Sequence, residues 1–574
     1  MIEQFYATCR LRGRKDPLPR ARTILVGSFI SGAILSGVIL ALALAGATSL
    51  AAQQSPGARQ VPAPKPQAPQ AAPGDKNNGE TRITPEQAKE LFALVDQLMK
   101  FSSEETGLPV KSSVKRQLTS RGEVEHYLKE KFDEDESNRR LQRGEIVLKK
   151  FGLLDRDFDL KPFLLALLKE QIEAYYDSKT KTVNMLDWVS IDEQKPVLAH
   201  ELTHALQDQH VELEKWSDQT PADVSTNYRE DIDHLAKDEM DTAREAVAEG
   251  QATAVMMDHI LKPMGKSLIK DPEVVEFIKQ QMNGSDNSPV MARAPLLLSE
   301  SLLFPYREGL SFEQDLWMDQ GQKAAFAGAL DRPPSSTWEI INPREFEKAR
   351  IPVVPLLPDI HPLLDTLYKP YDIGQVGELD LHILAQLFGG DSAARELTPA
   401  WDGGLYWAGQ LRTATPAEQA STKSIAFLYL SSWKSDASAQ AFAKLYTSAL
   451  GRKYSGLHPD DKASHSAPTG ASTGTPDGRL EQVFSTDEGP VVITTRDKQV
   501  FVAESFDLPT ARKLTSLILD AQGSGELRTA GLAPPACIPV PSTTLSGGFV
   551  HLFAQSGVMK SAVQAAIKAG AQAQ

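Results

Sequence analysis

The sequence predicts an α+β protein with a mainly helical first part, a small sheet within it, and a second part in which strands and helices alternate. Apolar residues recur at helical spacing from residue 83 to about 350, whereas β-like runs dominate from about residue 400. A chain of 574 residues is also too long for one ordinary core. We therefore expect one domain over 83–399, a C-terminal α+β domain over 400–525, and a tail over 526–574 with an Ala-rich helix.

The first 54 residues have the pattern of a targeting segment. Basic residues, from Arg10 to Arg22, precede an uncharged apolar stretch over about 24–52, which is long enough to cross ~30 Å of hydrocarbon at ~1.5 Å per residue. Since the basic side stays cytoplasmic, the pattern predicts either a retained transmembrane anchor or a cleaved signal peptide. The rest of the chain is then periplasmic or extracellular. The Pro- and Ala-rich residues 55–82 predict a disordered linker.

Composition narrows the functional classes. A net charge of −14, with no long basic run after the N-terminus, argues against a nucleic-acid partner. Cys9 and Cys537 are the two cysteines of the chain, which excludes a disulfide framework and makes histidine and carboxylate the expected ligands of any metal. The composition does not indicate an oligomeric state.

Individual elements follow from local patterns. Thr84 and Pro85 mark the start of a first helix, and further helices are expected over 121–172. The stretch "EAYYDSKTKTVNML" predicts two short strands around a polar turn. Downstream, "DEMDTAREAVAEGQATAVMMDHIL" predicts a long helix, "FPYREGLSFEQDLW" starts another, and "DRPPSSTWEIINPREF" is turn-rich and extended. Beyond residue 400 the predicted order is strand, strand, helix, strands, helix.

The stretch "VLAHELTHALQDQH" carries the strongest chemical signal. His200 and His204 lie four residues apart, so on a helix they are about 40° apart in projection and ~6 Å apart along the axis. Both imidazoles then reach one cation. Glu201 lies about 100° round the helix, where it flanks the metal and takes a proton from bound water. This H-E-x-x-H pattern predicts a zinc site with its general base.

A catalytic zinc site usually has three protein ligands, and the sequence offers alternatives for the third. His210 follows in the same stretch, but a continuous helix would place it ~15 Å from His200 along the axis. The helix predicted from "AREAVAEGQATAV" carries two acidic residues, Glu245 and Glu249, one turn apart on the same face. Gly250, unfavourable inside a helix by ~1 kcal/mol, indicates a close helix approach.

The H-E-x-x-H motif, with the hairpin before it, resembles the zincin metallopeptidases. His210 stands where the metzincin branch has its third histidine, but Gln207 replaces the glycine of that branch. The segment "AEGQA" is similar to the E-G-x-A segment of the gluzincin branch, and that resemblance implies Glu249 as third ligand, with Glu245 as the fallback ligand or as an acceptor for a histidine N–H. "FPYREGL" is similar to a Tyr-x-x-Gly helix of these peptidases. The order over about 83–350 resembles uncharacterised predicted bacterial envelope metallopeptidases.

The resemblance implies a zinc-dependent peptidase of the cell envelope that acts on a protein or peptide substrate. Zinc held by His200, His204 and Glu249 would lower the pKa of its water toward ~7, and Glu201 would act as general base. The oxyanion needs a further electrophile. By residue type the candidates are Tyr175, Tyr176, Tyr306 and His259, and the sequence does not choose among them.

Two other hypotheses fit the same residues. The protein would be a zincin-like binding or assembly protein of the envelope, with a structural or vestigial metal site. Alternatively it would be a self-regulated protease in which residues 83–160 cover the cleft as a pro-region.

Overall fold

The computed structural model describes residues 82–522 except 134, 173, 220, 222–223, 283–288 and 465–478. The predicted anchor or signal at 1–54, the linker up to residue 81 and the tail at 526–574 lie outside the described residues. Among the helices of the described part, none combines the length and apolar character needed to span a bilayer. The prediction of a transmembrane helix is therefore wrong for the described part of the chain.

Helices dominate the chain up to residue 364. They are α1 (Pro85–Thr106), α2 (Arg121–Asp133), α3 (Asp135–Phe151), α4 (Leu160–Gln171), α5 (Ile191–Val211), α6 (Leu213–Ser217), α7 (Tyr228–Lys237), α8 (Met240–Leu261), α9 (Glu273–Met282), α10 (Leu296–Gln320), α11 (Ala329–Asp331), α12 (Thr337–Ile341), α13 (Pro343–Glu347) and α14 (His361–Leu364). They are followed by α15 (Glu378–Leu397), α16 (Pro416–Gln419), α17 (Asp436–Lys453) and α18 (Leu508–Ala521).

Strands form two sheets. The small sheet contains β1 (Lys115–Thr119), β2 (Ala174–Asp177) and β3 (Thr182–Leu186) in the order β1-β3-β2. The large sheet contains β4 (Tyr368–Gln375), β5 (Trp401–Leu411), β6 (Ile425–Trp433), β7 (His458–Pro459), β8 (Leu480–Thr486), β9 (Gly489–Arg496) and β10 (Gln499–Glu504). Its order is β4-β5-β6-β10-β9-β8-β7. The mixed α+β class is confirmed.

The helical part is built around three long helices, with α8 packed against both α5 and α10. The predicted hairpin is confirmed, because β2 and β3 pair antiparallel. On its other side β3 pairs with β1 in parallel register, and α1 packs along α5, where the Ser102 hydroxyl donates to the Ala199 carbonyl. The segment 83–160, considered above as a pro-region, therefore contributes a helix and a strand to the same core.

The large sheet is buried on both faces. Along β6, Phe427 and Tyr429 belong to the core layer that includes α17, whereas Leu428 and Leu430 belong to the layer that includes α18. Side chains alternate between the two faces of a strand. Because helices cover both faces of this sheet, β6 is apolar at every position from 425 to 430. The predicted order of strands and helices after residue 400 is confirmed.

Three boundaries differ from the sequence prediction. The large sheet takes β4 from before residue 400, because β4 pairs antiparallel with β5 along its length. Helix α10 begins at Leu296 rather than at "FPYREGL", since Pro305 is accommodated inside it. The stretch "DRPPSSTWEIINPREF", predicted to be extended, contains the short helices α12 and α13, and α12 starts where the Ser336 side chain caps the Glu339 N–H.

Candidate metal centre

Helix α5 carries the first two candidate ligands. A capping box starts it: the Ser190 side chain accepts from the Glu193 N–H, and the Glu193 side chain accepts from the Ser190 N–H, which satisfies two backbone donors at the helix end. The helix then continues without a break through the whole motif to Val211. His200 and His204 therefore lie one turn apart on one face, and both side chains are buried.

Helix α8 brings Glu249 opposite the two histidines. The distance from His200 Nε2 to Glu249 Oε2 is 3.0 Å, and that from His204 Nε2 to Glu249 Oε1 is 3.4 Å. The two Nε2 atoms are 2.9 Å apart. Within the described part of the chain, these three side chains form the group whose ligand atoms all lie within 4.8 Å of one another. This buried group could bind a metal ion.

The distances fit a tetrahedral cation. With bonds of about 2.0–2.1 Å to nitrogen and oxygen, neighbouring ligand atoms of a tetrahedral zinc site are about 3.3 Å apart. The two Nε2 atoms are 2.9 Å apart, and each lies 3.0 or 3.4 Å from a different oxygen of the Glu249 carboxylate, so the group has the dimensions of such a site. The donor set of two imidazoles and one carboxylate is also chemically suited to a divalent metal.

A chain of glutamine amides fixes the orientation of His204. The Gln207 amide nitrogen donates to Ala248 O and to Gln251 Oε1, both at 2.9 Å. Its oxygen Oε1 therefore faces His204 Nδ1 at 2.8 Å, and this nitrogen must donate. The neutral His204 ring then has its lone pair on Nε2, directed at the site.

The second amide of this chain links the site to the rest of the fold. Gln251 lies two residues after Glu249 and is buried. Its amide nitrogen donates to the carbonyl oxygens of Ala325 and Phe326, each at 3.0 Å. In the sequence, Gln207 stands out only as the replacement for a glycine of the metzincin branch, and no local pattern marks Gln251. The available signal was the position of Gln207 three residues after a ligand on the same helix.

Glu201 is held by the small sheet. Its Oε2 accepts the backbone N–H of Tyr176 at 2.8 Å, and Tyr176 lies on the edge strand β2. The side chain is 4% exposed. Glu201 therefore stands beside the histidines in a fixed direction, which is what a proton acceptor for a water at this centre requires.

Burial dominates the electrostatics of the centre. Burial lowers the pKa of His200 to about 4, and burial raises the pKa of Glu201 to about 8. Burial alone would lower the pKa of His204, but the charge of Glu249 outweighs it and raises this pKa to about 9. Burial alone would raise the pKa of Glu249, but the charge of His204 and hydrogen bonds from both histidines hold it at about 2. His204 and Glu249 thus carry opposite charges, whereas His200 is neutral. A cation bound at this centre would displace the proton of His204.

Tyr306 is the oxyanion candidate that the structure brings to the centre. Its ring stacks on that of His200, with centroids 6.3 Å apart and an angle of 25°. Burial raises the pKa of Tyr306 far above its ordinary value, and Glu249 raises it further, so the hydroxyl remains a donor. Glu245, a fallback ligand, is buried beside Glu249, and burial followed by the Glu249 charge raises its pKa. It lies next to the ligand group rather than within it.

The other candidates lie elsewhere. Tyr175 stacks on Tyr127, the Tyr176 hydroxyl donates to Asp208, and His259 packs edge-on against Phe101. His210 Nε2 lies 2.9 Å from Asp331 Oδ1. Because α5 continues past it, His210 is carried away from the centre, as helix geometry predicts.

The four residues of the centre are almost completely enclosed. The exposed fractions are 1% for His200, 4% for Glu201, 5% for His204 and 1% for Glu249. No family model, curated protein or solved structure matches the chain. Its function must therefore be inferred from this centre.

Proposed function

We propose that the protein is a zinc-dependent peptidase that hydrolyses peptide bonds with Glu201 as general base. The observation that carries the proposal is the convergence of His200 Nε2, His204 Nε2 and the Glu249 carboxylate within 3.4 Å of their neighbours. Zinc is the metal that suits two imidazoles and one carboxylate in tetrahedral geometry, with a fourth position left for water.

When bound, zinc acts as a Lewis acid and lowers the pKa of a coordinated water toward ~7. The residues of the chain supply the remaining steps. Glu201 Oε2 is engaged by the Tyr176 N–H, so Oε1 is the oxygen that takes a proton from the attacking water and passes it to the leaving amine nitrogen. The Tyr306 ring stacks on His200, and its hydroxyl stays protonated and interacts with Glu249. We assign to this hydroxyl the role of donor to the developing oxyanion.

The enclosure of the centre supports a second candidate, a binding or assembly protein whose metal is structural. Structural zinc sites are closed, whereas catalytic sites keep an open position, and Glu249 is only 1% exposed. A peptidase with this centre must open to admit substrate. A structural site need not open, and removing its metal would cost folding stability.

The two candidates differ in what Glu201→Gln does. The full chain, loaded with zinc, is assayed for cleavage of a casein-like substrate, and its zinc content is measured in parallel. We expect Glu201→Gln to retain zinc and to lose hydrolysis by about 10²–10⁴-fold, as for removal of a general base. Glu214→Gln makes the same chemical change on an exposed side chain after α5 and serves as the control.

Full activity of the Glu201→Gln variant would refute the peptidase. A wild-type protein that binds zinc, cleaves nothing and unfolds at a lower temperature after chelation would establish the structural site instead.

A further inference from the structure

A wide cleft lies away from the metal centre, between the N-terminal helices and the large sheet. It has a volume of about 1310 Å³. One wall is helix α3, and the opposite wall is formed by residues 416–423 and 451–455. Two ion pairs hold the walls together, because the buried Lys150 and the partly exposed Arg156 both bind Glu488 in the turn between β8 and β9. The cleft is therefore part of the rigid fold.

The lining of this cleft is basic although the protein is acidic. Seven lysines and arginines line it against three acids, in a chain whose net charge is −14. Two of the acids are already engaged: Glu145 pairs with Lys149 at 2.7 Å, and Glu488 pairs with Lys150 and Arg156. Lys453 is also neutralised, by the buried Glu504. Arg139, Arg143, Lys423 and Arg452 therefore remain against Asp487.

The excess charge is on both walls. Arg139 on α3 and Lys423 on the opposite wall are exposed, and neither side chain has a hydrogen bond or ion pair with any residue that the structure describes. Arg452 donates to the carbonyl oxygen of Leu387, which leaves its charge uncompensated. Walls of one sign attract a ligand of the opposite sign and concentrate it in the cleft.

We infer that this cleft binds an acidic peptide segment in extended conformation, a property that goes beyond the proposed hydrolysis. Arg139 and Arg143 lie four residues apart on α3, which corresponds to about 6 Å along the helix axis. In an extended chain, side chains on the same face are about 6.6 Å apart. Alternate carboxylates of an acidic peptide therefore match successive guanidinium groups, which bind carboxylates through paired N–H donors.

Other anionic ligands fit less well. The cleft exceeds the ~300–1,000 Å³ typical of sites for small molecules, and its open shape and many charged lining residues suit a chain that passes through. Single-stranded nucleic acid needs exposed aromatic faces for base stacking. The tyrosines of this lining are Tyr371 and Tyr454. Tyr454 is buried, with Lys150 and Arg156 over its ring, and Tyr371 is half-buried, so this lining lacks a row of exposed rings.

The test measures binding of a fluorescent, Glu-rich octapeptide to the full chain by anisotropy. The Glu201→Gln background prevents cleavage and keeps the result independent of the proposed peptidase activity. Arg139→Glu combined with Lys423→Glu reverses one charge on each wall. Arg229→Glu combined with Lys513→Glu reverses two exposed charges outside the cleft and changes the net charge by the same amount.

We expect the cleft variant to weaken binding at least tenfold, the control variant to bind within twofold of the parent, and raised salt to weaken binding of the parent. Equal losses in both variants, or no binding by the parent, would overturn the inference. Competition by pyrophosphate or an oligothymidylate at lower concentration than by unlabelled peptide would also overturn it, since the site would then prefer phosphate.

Discussion

At the scale of single residues, the metal centre depends on a side chain that orients one of its ligands, Gln207 beside His204. His200 and His204 lie one turn apart on one face of α5, as their spacing predicts, and Glu201 flanks them. Gln207 lies on the same helix, but its role depends on Ala248 and Gln251 on another helix. No local pattern indicates a hydrogen bond between residues that far apart in sequence.

Gln207 gives a first prediction. Gln207→Leu removes the acceptor for His204 Nδ1–H and the donor for Gln251, so we expect zinc affinity to fall by about 10–100-fold, as for other supporting partners of metal ligands. Zinc affinity is measured by competition with a chromogenic chelator. Gln209→Leu makes the same change two residues along α5, where the side chain binds Lys111 and Ser112 near the surface, and is expected to leave affinity unchanged. Equal affinities for the two variants would contradict the assigned role.

Glu313 on α10 gives a prediction about pH. Burial raises its pKa to about 8 from 4.5, so the folded state keeps a proton that the unfolded chain releases. Its contribution to stability is complete below pH 4.5 and is lost as pH rises toward 8. We therefore expect Glu313→Gln to gain unfolding free energy relative to wild type as pH rises through this range. Urea unfolding at pH 5 and pH 8.5 measures it, with Asp319→Asn on the exposed side of α10 as the control. A difference that stays constant with pH would contradict this.

At the scale of elements, the helices α5 and α8 were predictable because each has a strong local pattern. The start of α1 was also predictable, since Thr84 and Gln87 form a capping box. The beginning of α10 was not, because the proline at 305 looks like a helix start while the helix begins at Leu296. Tertiary packing against α8 tolerates a proline that local preference places at an N-terminus.

The approach of α8 and α10 depends on two glycines. A Cβ atom at Gly250 would lie 2.3 Å from the carbonyl carbon and oxygen of Gly309, so the helices would have to move apart. We expect Gly250→Ala to lower the unfolding free energy by about 1–3 kcal/mol and to weaken zinc binding, because Glu249 moves with α8. Urea unfolding of the metal-free protein and zinc competition measure the two effects.

Gly144→Ala on α3 is the matched control for that change. Nothing lies within 4 Å of a Cβ atom there, and alanine favours a helix by roughly 0.5–1 kcal/mol over glycine. Stability should be equal or higher in this variant. If Gly250→Ala behaved like Gly144→Ala, the close approach would not position Glu249.

At the scale of the whole molecule, the change of pattern along the chain predicted the α+β class. It did not predict the contact between helix α3 and the turn that follows β8. Lys150 in α3 and Glu488 beyond β8 form an ion pair at 2.9 Å with exposed fractions of 0% and 4%. Each residue alone has the pattern of a solvated charge, and only the fold brings them together. The position of β4 before residue 400 was missed for the same reason, since its partner β5 follows an intervening helix.

The ion pair between Lys150 and Glu488 gives a prediction for stability. Glu488→Gln leaves Lys150 buried without its counter-charge, so we expect the unfolding free energy to fall by about 3–5 kcal/mol. Asp520→Asn removes the partner of Arg479 and Arg496 at a side chain that is 61% exposed, and should change it by about 1 kcal/mol or less. If both variants lost a similar unfolding free energy in urea, the ion pair between α3 and the turn after β8 would not stabilise the fold more than an exposed ion pair does.

The central claim, that His200, His204 and Glu249 together hold zinc, is tested most directly by zinc content combined with zinc K-edge X-ray absorption on the purified full chain. We predict one zinc per chain, with two imidazole nitrogens and a carboxylate oxygen at about 2.0–2.2 Å, and loss of that zinc in Glu249→Ala but not in His210→Ala. A wild-type protein without zinc, or a Glu249→Ala variant with unchanged zinc content and an unchanged spectrum, would contradict it.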